Sequence, residues 1–101
     1  IIICSGTIRD AQPFPKARNP SYKIWVDFGP ELGIKQTSAQ VTVHYTPEAL
    51  IGKQVMGVVN FPPKNIAGFI SEFLLLVLSD EDGAIYLAVP DQPFANGQRL
   101  H

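Results

Sequence analysis

Tyr22-Lys23-Ile24-Trp25-Val26-Asp27-Phe28 alternates from end to end. Tyr22, Ile24, Val26 and Phe28 fall on one face, while Lys23 and Asp27 point the other way with Trp25 between them. A two-residue period sends successive side chains to opposite faces of an extended chain, so this stretch is a half-buried strand. The same reading extends outward. Ile34 to Val43 sets Thr37, Ala39, Val41 and Val43 against Ser38, Gln40 and Thr42. Gln54 to Phe61 is apolar and β-branched until Pro62-Pro63 stops it, and Phe73 to Leu78 is a continuous apolar run of strand length. Ser79-Asp80-Glu81-Asp82-Gly83 then forms a turn, with Ala84 to Val89 as the returning strand. One helix start stands out, at Thr46-Pro47-Glu48: a capping hydroxyl, proline at the first helical position and an early carboxylate. Gly52 ends that helix within two turns, and Pro13 to Pro20 is a proline-rich loop carrying Lys16 and Arg18.

Five or six short strands, one short helix and closely spaced turns predict an all-β barrel, because closing a sheet disposes of its edges. The OB-fold fits this pattern: a five-stranded Greek-key barrel with a short helix between strands 3 and 4. A β-sandwich needs about seven strands and ranks second.

Composition narrows the function classes. The 101 residues suffice for one domain, expected over 1–101, with 46% hydrophobic residues to fill its core. A net charge of −1 excludes both a polycation and an acidic disordered tail. The single cysteine, Cys4, excludes an internal disulfide framework and a cysteine-rich zinc site; it lies in an apolar first strand, where a buried thiol is expected. Cytoplasm is the default compartment. Neither Ile1-Ile2-Ile3-Cys4 nor Phe69 to Leu78 has the length of a targeting or spanning segment, so no membrane insertion is expected. The chain opens on Ile1 rather than methionine, and a native N-terminal segment is expected to be missing.

No catalytic constellation is present in the sequence. Gly29-Pro30-Glu31-Leu32-Gly33 is a turn without the Lys-Ser/Thr ending of a phosphate loop. His44 and His101 are the only histidines, and Asp80-Glu81-Asp82 lacks the spacing of a calcium loop. The expectation is a protein without enzymatic activity, metal or cofactor. Charge is more informative. Residues 1–64 carry Arg9, Lys16, Arg18, Lys23, Lys35, Lys53 and Lys64 against four acids, a net of +3; residues 65–101 carry a net of −4. A basic half on a near-neutral protein suits a phosphate backbone, and equally suits ordinary solvation. Trp25, Phe61, Phe69 and Phe73 exceed what one small barrel must bury. They suit base stacking, a peptide-binding groove or the core.

Six blocks then stand in order: Phe14-Pro15-Lys16-Ala17-Arg18, Asp27-Phe28-Gly29, Ile34 to Val41, Tyr45 to Lys53, Val58 to Lys64 and Ile66 to Glu72. Together they closely resemble the CsaA family, part of the wider group of tRNA-binding domains of the EMAP II type. The resemblance implies an OB-fold, a homodimer, tRNA as partner, and export-related, chaperone-like binding of unfolded or preprotein peptides. It maps the family's polar set onto Ser38, Gln40, Asn60, Lys64, Ser71 and Glu72, with Lys35 and Lys64 placed to neutralise phosphate. Trp25, Phe61, Phe69 and Phe73 are the corresponding candidates for peptide. Three departures accompany the match. Ile2-Ile3-Cys4-Ser5-Gly6-Thr7-Ile8 lacks the aspartate and arginine with which the family usually opens, a segment that contributes to the family's dimer does not precede it here, and Lys64-Asn65 stands where two basic residues are common.

Overall fold

The computed structural model describes residues 1–101. Its elements run β1 (Ile3–Pro13), β2 (Tyr22–Asp27), β3 (Ile34–Ala39), α1 (Pro47–Leu50), β4 (Gln54–Val58), β5 (Lys64–Ile66), β6 (Phe69–Ser71), β7 (Leu74–Leu75), β8 (Val77–Ser79) and β9 (Ile85–Leu87). Five of these form one antiparallel sheet in the order β3-β2-β1-β4-β7, while β5-β6 and β8-β9 are separate hairpins. β1 can serve two partners because it is long. Its first half pairs with β4 and its second with β2, and a register shift between Ile8 and Asp10 bends it at the crossover.

The sheet curls until its ends nearly meet. Glu72 N–H donates to the Gln36 carbonyl at 2.8 Å, and the buried Thr37 hydroxyl donates to the Phe73 carbonyl at 2.9 Å. A five-stranded, nearly closed barrel results, with α1 between β3 and β4, as the OB-fold requires. Inside it, Ile8, Ile24, Val26, Phe28, Val41, Leu50 and Val55 are completely enclosed, and Cys4 is buried among them. The inward set of β2 is thus the one its alternation gave. Gly57 lets the core close: a Cβ there would stand 2.8 Å from the Phe73 ring and 3.0 Å from Phe28.

Several boundaries differ from the sequence reading. β3 ends at Ala39 and β4 at Val58, each before the expected limit, although Val41 remains fully buried beyond its strand. The apolar run from Phe73 to Leu78 is two strands, not one. Leu76 is the pivot, since its N–H bonds to Met56 on the barrel and its carbonyl accepts from Ala88 on the other side. The β5-β6 hairpin has no counterpart in the sequence pattern, because Pro62-Pro63 marks its approach as loop. Ala67 and Gly68, at φ of 51° and 84°, make its two-residue turn, a conformation in which only the glycine is unstrained. Phe73, a candidate for the peptide groove, packs in the core while also lining the groove at the hairpin root. It is 3% exposed and packs edge-on against Phe28 at 4.9 Å between ring centroids, because the barrel needs a large ring over Gly57.

Candidate nucleic-acid interface

The outer faces of β2 and β3, the loop after β1 and the β5-β6 hairpin build one continuous surface. Residues that point away from the core supply it: Lys23 and Trp25 on β2, and Gln36 and Ser38 opposite them on β3. The hairpin folds across this face. Phe69 meets Phe14 at 5.5 Å and Trp25 at 5.9 Å, both edge-on, and the Lys23 ammonium sits 5.0 Å from the Phe14 and Phe69 ring centres. Such cation–ring contacts hold a charge at the surface while burying its stem. Trp25 donates its indole N–H to the Gln36 side chain at 3.2 Å, which in turn donates to the Ile70 carbonyl at 2.9 Å.

The hairpin leaves a concavity on each side. At its root, Phe61, Pro62, Lys64, Ser71, Phe73 and Leu74 line a groove of ≈ 310 Å³. Lys64 and Ser71 are cross-strand partners there, and the exposed Phe61 and Leu74 supply an apolar wall. At its tip, Ile66 faces Arg18, Asn19, Ser38 and Gln40 across a smaller pocket of ≈ 220 Å³. The loop that brings Arg18 here is fixed by its own bonds. Phe14 N–H donates to the Ser21 carbonyl at 3.0 Å, Ser21 Oγ donates to the Asn19 carbonyl at 2.9 Å, and the Phe14 ring is buried.

The sequence candidates divide by what their polar atoms already hold. Glu72 accepts from Gln36 N–H at 3.0 Å, and Ser71 is bonded to the Thr37 hydroxyl at 2.8 Å and reaches the Phe73 carbonyl at 3.1 Å. Asn60 accepts from Ile2 N–H at 2.8 Å. These three fasten the barrel. Lys35 is half-buried opposite Val26, whereas Lys64 is exposed and makes no ion pair. Ser38 and Gln40 make no side-chain hydrogen bond within the protein. Trp25 and Phe69 belong to the aromatic cluster, and Phe61 alone of the four peptide candidates is an exposed ring. In the sequence, Lys23 and Arg18 belong to the basic half and to no candidate site. The alternation around Trp25 was the signal for Lys23; nothing local to the 13–20 loop shows that Arg18 reaches β3.

One ion pair lies elsewhere, between Arg9 and Asp27. Asp27 accepts from Gly29 N–H at 2.8 Å and from Arg9 at 3.0 Å. The backbone bond first, and the guanidinium second, hold its carboxyl below the ordinary value of 3.8. His44 stacks on Tyr86 at 4.5 Å, and partial desolvation, aided by Asp80, raises that phenol above its ordinary range. No group of three or more His, Cys, Asp or Glu side chains gathers as a metal site, and no helix is long and apolar enough to cross a membrane.

A barrel of this order with a mixed polar, cationic and aromatic outer face is the architecture of a nucleic-acid-binding OB domain. Residues 3–99 match the family model described as a putative tRNA binding domain, and the chain belongs to that family. Within it, the resemblance to CsaA holds over nearly the full length. The chain is similar to the chaperone CsaA of Bacillus anthracis, with 46% identity and a TM-score of 0.93, covering 99% of this chain and 90% of that one. It is likewise similar to the CsaA chaperone of Picrophilus torridus, with 42% identity and a TM-score of 0.93, covering 100% and 92%. A methionine–tRNA ligase of Porphyromonas gingivalis is 33% identical over 95 residues, which is 94% of this chain but 14% of the ligase. The chain therefore spans only a small part of that enzyme.

Proposed function

We propose that the protein is a CsaA-like tRNA-binding module that also holds unfolded or preprotein peptides, working as a cytoplasmic homodimer in an export-related, chaperone-like role. The observation that carries this reading is the groove at the hairpin root. Lys64 is an uncommitted cation for phosphate, and Phe61 beside it is an exposed ring for a base or an apolar side chain. Lys23 and Arg18 extend positive charge along the same face, Lys35 lies on the opposite side of β3 with Val26, and Ser38 and Gln40 offer hydrogen bonds to sugar or base edges. Exposed Phe61, Ile70, Leu74 and Leu78 support capture of apolar peptide segments and pairing of two copies. The alternative is a structure-specific tRNA-binding module with no chaperone role.

Fluorescence anisotropy with labelled unfractionated tRNA, titrated with an unfolded apolar peptide as competitor, separates the two. Displacement of tRNA supports the dual role. Binding of tRNA with no measurable peptide binding supports the module alone, and binding of neither ligand contradicts both. Sedimentation at tens of micromolar tests the dimer: a species of about 22 kDa is expected, and 11.1 kDa alone contradicts it.

A further inference from the structure

The pocket at the hairpin tip has a composition that the root groove lacks. Arg18, Asn19, Ser38 and Gln40 converge on ≈ 220 Å³, and none of their side chains is hydrogen-bonded or ion-paired to the protein. These exposed or half-buried groups, brought together by a loop, a strand end and a hairpin, keep their hydrogen-bonding capacity free for a ligand. The volume lies below the roughly 300–1,000 Å³ of drug-sized ligand sites, so it suits one planar group. Ile66 supplies an apolar wall for the flat face of such a group, and the amides and hydroxyl can meet its donor and acceptor edge. Arg18, exposed at the rim, is placed for the adjoining phosphate.

We propose that this pocket seats a single unstacked nucleotide of bound RNA, with Gln40 and Ser38 meeting the base edge and Arg18 the flanking phosphate. The proposal rests on the tRNA-binding reading. It predicts that single-stranded RNA, whose bases can leave the stack, occupies the pocket and that a duplex does not.

The test uses the whole protein and three probes: unfractionated tRNA, an eight-nucleotide single-stranded RNA of mixed sequence, and the duplex formed with its complement. Gln40→Ala is expected to weaken tRNA binding about three- to tenfold, as loss of one or two hydrogen bonds does, without changing the salt slope. Arg18→Ala is expected to weaken it and to lower the slope by about one phosphate contact. The single strand should bind the native protein more tightly than the duplex and lose affinity in Gln40→Ala. Normal tRNA binding by Gln40→Ala and Ser38→Ala together, or equal binding of single strand and duplex, overturns the subsite while leaving tRNA binding itself intact. Failure of the native protein to bind tRNA would instead overturn the reading beneath it.

Discussion

The root and the tip of the β5-β6 hairpin are built from the same kinds of side chain and do different things with them. At the root, Thr37, Ser71 and Glu72 direct every polar contact into the protein and fasten β3 to the segment that closes the barrel. At the tip, Ser38 and Gln40, one and three residues along from Thr37, direct none. Ser71 and Ser38 are equivalent in chemistry, and only the first is a structural bolt. A hydroxyl or amide in a binding motif is therefore a site candidate to the extent that its hydrogen-bonding capacity remains unused. Stability should respond to Thr37, Ser71 and Glu72, and ligand affinity to the groups left free, Ser38 and Gln40 at the tip and Lys64 and Phe61 at the root.

The largest effect that can break this contrast belongs to Phe73, which underlies the root groove. Phe73→Ala should cost about 3–5 kcal/mol, enough to lower the melting temperature of a domain this size by well over 10 °C. A melting temperature near the native value with peptide binding abolished would return Phe73 to the ligand surface. Next comes Thr37→Val, which removes the buried hydroxyl and leaves the Phe73 carbonyl with only Ser71 as donor. A loss of about 1–3 kcal/mol in denaturant unfolding is expected, with tRNA affinity of the folded protein within about threefold. A large affinity loss at native stability would erase the division between root and tip.

Lys64→Ala sharpens the comparison, since Lys64 is the uncommitted group on the root side. Its stability change should be within about 0.5 kcal/mol, while the slope of log K against log salt falls by about one contact. An unchanged slope removes Lys64 from the phosphate path. The smallest effect is at Asp27, whose ion pair with Arg9 is exposed and screened. Its folded pKa lies below its ordinary value, so its contribution is present above about pH 4 and is lost as pH falls through the folded pKa. The melting temperature should fall slightly more on acidification below about pH 4 in the native protein than in Asp27→Asn. Parallel acid profiles would show that the pair contributes nothing.

Much of the barrel was legible because its strands are half-buried and carry the period. Tyr22 to Phe28 gave its inward face correctly, and Thr46-Pro47 marked α1, whose Thr46 hydroxyl accepts from Ala49 N–H at 3.2 Å. The β5-β6 hairpin was illegible because it lies on the barrel rather than in it. Its three-residue strands bury too little to alternate, and its turn places an alanine at positive φ where Asn-Gly would have announced it. The core packing of Phe73 is illegible because an apolar ring beside a loop motif carries no local sign of which way it turns. Gly57, sixteen residues earlier, holds that information through a contact sequence spacing cannot show. For the interface, the resemblance named Ser38, Gln40 and Lys64 together with Asn60, Ser71 and Glu72, but only three-dimensional bonding separates the two groups.

The central claim, that this face binds tRNA through a small set of uncommitted cations, is tested most directly by tRNA affinity measured across salt concentration. With Arg18, Lys23 and Lys64 as the available charges on this face, log K should fall linearly against log salt with a slope of about −2 to −3, roughly −0.9 per phosphate met. An affinity indifferent to salt, or no binding even at about 50 mM, would contradict it.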